Sequence, residues 1–230
     1  MREIVLDTET TGFEPSEGDR IVEIGAVELF NHMPTGKVYH QYINPQRSMP
    51  QSAFEVHGLG DEFLADKPVF AAIVDEFVEF VGDAKLVIHN AAFDMKFLNA
   101  ELGWVNRPLL PMDQALDTLA IARKKFPGSP ASLDALCRRF GVDNSAREKH
   151  GALLDSEILA EVYLELIGGQ QPGLELGARA SSGGAGANAQ SQRVAARPNP
   201  LPPRITDTEK AAHAAFVEKL GNGALWMKAR

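Results

Sequence analysis

Two acids stand at the end of the first apolar segment of the sequence. Asp7 and Glu9 follow Ile4-Val5-Leu6, a run typical of a buried strand. Residues two apart on a strand share a face, so we expect the two carboxylates to point the same way. Burial of such acids is costly unless a cation compensates their charge. The pair is therefore a candidate metal site, although two acids in a chain with 31 are unremarkable by themselves.

Two further acids follow later segments. Asp94 comes after a second apolar segment, residues 85–89, and the intervening Asn90 is a candidate N-cap that would place Asp94 near the first turn of a helix. A carboxylate there is also favoured by the helix dipole alone. Asp155 lies on a stretch with strong helical character, shortly after His150. The acids therefore come from three separate stretches of the chain.

His150 has the setting of a proton-transfer group. It precedes the helical stretch and stands beside Gly151, where the backbone can move. Histidine side chains titrate near neutral pH, which suits general acid or base catalysis. A lone histidine before a helix is usually a surface residue, but the nearby acid favours a functional role.

One chemistry uses all five side chains. Carboxylate oxygens select hard cations such as Mg²⁺ or Mn²⁺, and the sequence offers no cluster of Cys and His for zinc. The single cysteine, Cys137, is predicted to be a buried apolar residue. Two such cations can flank a phosphodiester, one activating water and the other stabilising the leaving oxygen. The residues therefore predict phosphodiester hydrolysis.

The elements that must position these residues form a mixed pattern. Three strands are predicted at residues 2–7, 20–30 and 37–43, and their spacing leaves no room for crossover helices, which indicates an antiparallel meander. Strands first, followed by alternating strand and helix, indicate a mixed sheet covered by helices. The later elements are a strand at 85–89 and helices at 68–81, 92–102, 116–125, 132–140 and 152–167.

Composition and charge narrow the class of protein. The chain has 230 residues, of which 44% are hydrophobic and 23% charged, which excludes collagen, a coiled coil and a fully disordered chain. Residues 1–176 carry 15 Lys and Arg against 28 Asp and Glu, a net charge of −13, whereas residues 177–230 have a net charge of +5. An acidic domain binds polyanions poorly unless cations offset its carboxylates. No apolar run is long enough to cross a bilayer, and no signal peptide is recognisable, so we expect a cytoplasmic protein.

The basic end of the chain differs in kind from the rest. Residues 177–204 contain no acid and no aromatic residue and are rich in Ala, Gly, Ser and Pro, which predicts a flexible linker. Residues 206–209 look like a helix start, and Phe216 and Leu220 recur at helical spacing. A short amphipathic segment after a linker is typical of a docking tail for another protein. The alternative is a helix packed on its own domain.

The three acid-bearing blocks resemble the motifs of the DEDDh exonuclease family. They are Asp7-Thr8-Glu9, residues 90–94 and His150-x-Ala152-x-x-Asp155. Residues 1–176 and the tail resemble the proofreading (epsilon) subunits of bacterial DNA polymerase III within that family. The resemblance implies an α/β fold, an RNase H-like mixed five-stranded sheet flanked by helices. It implies an exonuclease domain at 1–170, a clamp-binding-like motif and flexible linker at 171–204, and a polymerase-binding tail at 205–230.

The same resemblance implies roles for single residues. Asp7, Glu9, Asp94 and Asp155 would hold two Mg²⁺ or Mn²⁺ ions, with Asp7 bridging both, and His150 would be the general base. The product would be a deoxynucleoside 5′-monophosphate released from a single-stranded 3′ end. Backbone donors at Thr10 and Thr11 would assist. The implied substrate contacts are Asp7, Glu9, Thr10, Thr11, Val56, His57, Asn90, Phe93 and Asp155.

The resemblance also implies partners. Gln171, Leu174 and Leu176 are similar to the short motifs that bacterial proteins insert into the sliding clamp. The tail would bind the DNA polymerase III catalytic (alpha) subunit, and a small stabilising subunit would complete the assembly at a nucleoid-associated replisome in the cytoplasm. The implied polymerase contacts are Phe216, Leu220, Leu225 and Trp226.

Two alternatives stay open. A DEDDh RNase or a free-standing single-strand exonuclease needs only the same metals, because the contact that separates RNA from DNA is made at a 2′-hydroxyl. The linker and tail favour the polymerase subunit. A non-catalytic scaffold between polymerase and clamp is the alternative of another class, and the presence of all five catalytic-type residues disfavours it.

Overall fold

The sheet of the computed structural model is mixed, as predicted. The model describes residues 1–145, 149–168 and 205–220. In this part of the chain, five strands have the order β3-β2-β1-β4-β5, with β1 antiparallel to β2, β2 antiparallel to β3, and β1, β4 and β5 mutually parallel. The strands are β1 (Arg2–Thr10), β2 (Ile21–Phe30), β3 (Met33–Tyr42), β4 (Lys85–Ile88) and β5 (Ala115–Asp117).

Helices cover both faces of this sheet. One face packs on α3 and α4 through a cluster that includes Ile4 and Leu6, and the other packs on α7 through a cluster that includes Val5. The apolar run that precedes Asp7 is therefore buried on both faces, as its composition predicts. The helices are α1 (Gln51–His57), α2 (Asp61–Leu64), α3 (Phe70–Val81), α4 (Ala91–Trp104), α5 (Thr118–Lys125), α6 (Leu133–Phe140), α7 (Ala152–Ile167) and α8 (Asp207–Leu220).

The start of α7 is held against β2 by a close backbone approach. Gly25 pairs with Asp7 across the β1–β2 ladder. A Cβ added at Gly25 would lie 2.1 Å from the Leu153 nitrogen, so a larger residue there would push α7 away from the sheet. The Ser156 hydroxyl donates to the Gly25 carbonyl at 2.9 Å. These contacts bring Asp155 in the first turn of α7 to the end of β1.

The structure corrects several predicted boundaries. β1 continues to Thr10, three residues beyond the predicted end at residue 7, and therefore includes both acids. The segment expected as one helix from residue 116 begins with the short strand β5, and Asp117 then caps α5 by accepting from the Leu119 N–H at 2.9 Å. The helices α1 and α2 were not predicted. Cys137 is buried, as predicted.

The helix α8 begins where the sequence predicts. The Glu209 N–H donates to the Thr206 hydroxyl at 3.3 Å and the Thr206 N–H donates to the Glu209 carboxylate at 2.8 Å, which is a capping box. No helix among the described ranges is both long and apolar enough to span a bilayer. Gln171, Leu174, Leu176, Leu225 and Trp226 lie outside the described residues, as does the predicted linker.

Candidate active site

A cleft of about 460 Å³ opens where β1 and β4 end. Its walls include Asp7, Glu9, Asp94, Asp155 and His150, so residues from three distant stretches meet in one place. The parallel pairing of β1 with β4 puts the carboxyl ends of both strands at the same edge of the sheet. The helices α4 and α7 then bring the other two acids to that edge.

Asp94 is buried in the first turn of α4. The Thr8 hydroxyl donates to its Oδ1 at 2.7 Å. Burial raises the pKa of Asp94 to about 7, the Thr8 hydrogen bond opposes this shift, and the charge of Asp117 adds to it. Ionised Asp94 is therefore costly in this setting unless a cation lies next to it. The carboxylate-rich donor set fits a hard divalent cation.

Glu9, His150 and Asp155 form a tighter group within the cleft. One potential ligand atom from each residue lies within 4.8 Å of the others. The ring Nδ1 of His150 is 3.2 Å from the Asp155 Oδ2. The backbone N–H of His150 donates to the Val56 carbonyl at 3.2 Å. His150 is half exposed, whereas Glu9 and Asp155 are buried. The imidazole can therefore reach both the acids and water.

A second cavity of about 150 Å³ adjoins the cleft. Thr10, Val56 and His57 line it, and it shares Thr8, Glu9 and Phe93 with the cleft. Its walls are largely apolar, and they include the partly buried ring of Phe93, a residue type that can stack on a base. A nucleotide in this cavity would lie directly beside the acids.

His57 places a buried donor in this cavity. Its Nδ1 accepts a hydrogen bond from the Leu59 N–H at 3.0 Å, so the neutral ring carries its proton on Nε2. Within the described structure, Nε2 is buried and makes no hydrogen bond of good geometry. Burial lowers the pKa of His57, and the neighbouring Thr10 carbonyl opposes the shift. Burial therefore favours the neutral ring, with its proton on the buried Nε2.

Phe13 is a further residue at the site that the sequence pattern did not predict. Its ring is 81% exposed and lies at the second cavity, in edge-on contact with Phe93 at a centroid distance of 6.4 Å. Lys96 holds the loop by donating to the Phe13 carbonyl at 2.8 Å. The one signal that could have found this residue is its position directly after the acid-bearing segment. Arg123 was also missed and lines the cleft.

Two predicted roles need correction. The Thr11 N–H donates to the Arg20 carbonyl at 2.9 Å and its hydroxyl donates to Asp19 at 3.1 Å. Thr11 is buried and lines neither cavity, so its N–H is not available to a substrate in the described structure. Asn90 lines the cleft and stands at the N-cap position of α4, but its side chain does not cap the helix.

Comparison with known proteins identifies the family. The family model described as Exonuclease matches residues 4–163. The DNA polymerase III subunit epsilon of Escherichia coli is 46% identical over 238 residues, covering 98% of this chain and 97% of that protein. The chain belongs to this exonuclease family, with the epsilon subunits as relatives. The epsilon subunit of Rickettsia felis is 56% identical over 179 residues, covering 76% of this chain and 78% of the relative.

The fold is shared more widely within the exonuclease family. The nuclease domain of 3′hExo, a DEDDh family member bound to rAMP, superposes with a TM-score of 0.61 at 18% identity. The match covers 72% of this chain and 91% of that domain. At this identity the likeness shows the fold alone, and it confirms the predicted RNase H-like architecture.

Proposed function

We propose that this cleft hydrolyses the 3′-terminal phosphodiester of a DNA strand. The chain is a 3′ to 5′ exonuclease that proofreads for a replicative polymerase, in keeping with its family and its epsilon relatives. The observation that supports the cleft as the active site is the convergence of Asp7, Glu9, Asp94, Asp155 and His150 in one cavity. A non-catalytic scaffold would not need this arrangement.

The enzyme depends on a divalent metal, as its family does. We propose that Asp7, Glu9, Asp94 and Asp155 would hold two Mg²⁺ or Mn²⁺ ions. The oxygen donors and the burial of Asp94 support this assignment. When bound, the ions would activate water and stabilise the leaving oxygen. Their charge would also offset the carboxylates that otherwise repel a phosphate.

We assign His150 as the general base that takes the proton from the attacking water. The ring is half exposed and stands at the mouth of the cleft, next to Asp155. The backbone N–H of His150 donates a hydrogen bond to the Val56 carbonyl, and Val56 lines the cavity beside the acids. Occupation of that cavity by a nucleotide would therefore stabilise the segment that carries the base.

We assign the smaller cavity to the 3′-terminal nucleotide. Its apolar walls suit a base, with Phe93 as the stacking surface. His57 would donate from Nε2 to an acceptor of the base or sugar. Thr10 and Val56 would complete the walls, and Asn90 would lie along the strand in the larger cleft.

Release of nucleotides from labelled strands tests this function. The full-length protein should release deoxynucleoside 5′-monophosphates from the 3′ end of single-stranded DNA when Mn²⁺ or Mg²⁺ is present, and EDTA should stop the reaction. Matched DNA and RNA strands separate the alternatives. Preferential degradation of RNA would favour a DEDDh RNase, and no release from either strand would leave only the scaffold.

Association with the DNA polymerase III core follows from the epsilon relatives. We propose that residues 205–230 bind the alpha subunit. Phe216 and Leu220 stand one helical turn apart on α8 and are 57% and 46% exposed, which suits an apolar contact with a partner. A small stabilising subunit and a location at the nucleoid-associated replisome in the cytoplasm belong to the same proposal.

Deletion of residues 205–230 is expected to abolish co-purification with the alpha subunit. Degradation of free single strands should be unchanged, because a tether raises the effective concentration at the primer end without altering the active site. A Phe216→Ala, Leu220→Ala variant tests the described helix alone. Retention of alpha by the truncated protein would contradict the proposal.

We also propose that Gln171, Leu174 and Leu176 bind the sliding clamp. The support is the sequence pattern, a glutamine followed by spaced hydrophobic residues. Replacement of both Gln171 and Leu174 by alanine should remove the protein from a clamp pulldown while nuclease activity is kept. Gln170→Ala provides a neighbouring control, and undiminished capture of the double variant would refute the motif.

A further inference from the structure

The described lining of the cleft includes one permanent cation. Arg123 is the only Lys or Arg among the described residues that line the cleft. A DNA strand is a chain of phosphates, and phosphate contacts from Lys and Arg set the position of a strand on a protein. Among the described lining residues, the guanidinium is therefore the one fixed positive charge that could meet a phosphate away from the bound metals. The lining carboxylates are Asp7, Glu9, Asp94, Asp134 and Asp155.

The arrangement of the two cavities gives the strand a direction. The small cavity lies toward α1, and it meets the cleft at Glu9 and Phe93. In the sheet, β4 separates β1 from β5, and α5 follows β5 directly. At about 4.8 Å per strand, β5, which leads into the helix that carries Arg123, lies roughly 10 Å across the sheet from β1. A strand whose last nucleotide occupies the small cavity can therefore continue past the acids toward α5.

Neighbouring basic residues do not share this position. Lys125 donates to the Leu166 carbonyl at 2.8 Å, at the end of α7. Lys124 is exposed but does not line the cleft. His89 lines the cleft, but burial lowers its pKa and the charge of Arg123 lowers it further, so His89 is neutral at pH 7.

The backbone of the helix segment that carries Arg123 is fixed in place by its neighbours. The carboxylate of Asp117 caps α5 and also accepts from the Asn90 N–H at 3.1 Å, which ties the start of α5 to the end of β4. Ala122, the residue before Arg123, is fully buried in the core formed with α6 and α7. The helix therefore presents the arginine to the cleft from a fixed position.

We propose that Arg123 binds the phosphate one step upstream of the scissile phosphate. The inference rests on the proposed function and extends it, because it assigns a second phosphate site that sets the register of the strand over the acids. A guanidinium suits this task, since it offers several donors in a planar array. The site would distinguish a strand from a mononucleotide ester, which has no upstream phosphate.

Kinetics of Arg123→Ala on two substrates tests the proposal. On a short single-stranded oligonucleotide, KM should rise about tenfold to a hundredfold, the range for a lost hydrogen bond to a charged group. On the p-nitrophenyl ester of thymidine 5′-monophosphate, which has a single phosphate, kcat/KM should change less than about twofold, and this activity also reports correct folding. Lys124→Ala removes the same charge from the adjacent position and should leave both substrates unaffected.

A neutral linkage locates the contact. In a second oligonucleotide, a methylphosphonate replaces the phosphodiester one step upstream of the scissile bond. On this oligonucleotide, the KM of the wild type should rise by about the factor that Arg123→Ala causes on normal DNA. The KM of the Arg123→Ala variant should not change with the replacement. Equal penalties in both proteins, or an equal loss on the ester, would overturn the proposal. If the wild type releases no nucleotide at all, the proposed function fails instead.

Discussion

Replacement of His150 by alanine is expected to lower turnover on single-stranded DNA by about 10² to 10⁴, the usual effect of losing a positioned proton-transfer group. The reason is that water attacking the scissile phosphate would lose its proton acceptor while the four carboxylates remain. KM should change little, because the cavity assigned to the terminal nucleotide does not include the ring. Single-turnover rates with saturating Mn²⁺ measure this effect.

The structure also allows His150 to be a metal ligand, and the experiment must distinguish this role from that of a general base. An atom of His150 lies within 4.8 Å of ligand atoms of Glu9 and Asp155, so the imidazole is also positioned to bind a metal. Calorimetric titration with Mn²⁺ distinguishes the two roles. A general base predicts unchanged Mn²⁺ affinity in the alanine variant, whereas a ligand predicts that affinity falls with turnover. His213→Ala, a histidine of α8, serves as the control and should change neither quantity.

The meander and the later helices could be predicted because their signals are local. The strands that became β2 and β3 have a strand-like composition and short connections, and α7 matches its predicted bounds. The run Ile4-Val5-Leu6 also correctly predicted that Asp7 and Glu9 lie together on one strand, near its carboxyl end. These features need no knowledge of what lies across the sheet.

The missed features depend on tertiary pairing. β1 continues through polar residues because its hydrogen-bonded ladder with β2 extends that far. In this ladder, Glu9 pairs with Glu23 and Thr10 pairs with Ile21. β5 has only three residues, and its sequence runs into α5 without a break in pattern, so only its pairing with β4 defines it. The helix α1 is short and ends at His57, directly before Gly58, whose φ of 77° is left-handed.

The convergence of the site was predicted from residue types rather than from spacing. Nothing in the linear pattern shows that β1 and β4 run parallel or that α7 crosses β2 at Gly25. The resemblance to an exonuclease family supplied that information. For the Thr11 backbone, which had no support beyond the family pattern, the described structure offers no donor to substrate, because the β1–β2 connection uses that N–H.

In the metal-free protein, Asp94→Asn is expected to raise the melting temperature at pH 8 by roughly 3 to 10 °C, the effect of about 1 to 4 kcal/mol in a domain of this size. The pKa of Asp94 is raised from 3.8 to about 7 by burial. Below about pH 4 the carboxyl is neutral in both the folded and the unfolded chain and costs nothing. As the pH rises from about 4 to 7 the unfolded chain ionises first, so stability is lost over that window.

Divalent metal should reverse the order of the two melting temperatures at pH 8, so that the wild type melts above the Asp94→Asn variant. Bound cations stabilise the ionised wild type, so saturating Mn²⁺ should raise its melting temperature, whereas the asparagine variant should gain much less because a ligand has lost its charge. Thermal melts at pH 4.5 and pH 8, with EDTA or Mn²⁺, measure both effects. Asp134→Asn, which removes a carboxylate from the same cleft outside the assigned ligand set, should respond to Mn²⁺ like the wild type. A metal-free Asp94→Asn protein that melts below the wild type at pH 8, or one that gains as much from Mn²⁺, would show that burial of this carboxylate is not what the cation compensates.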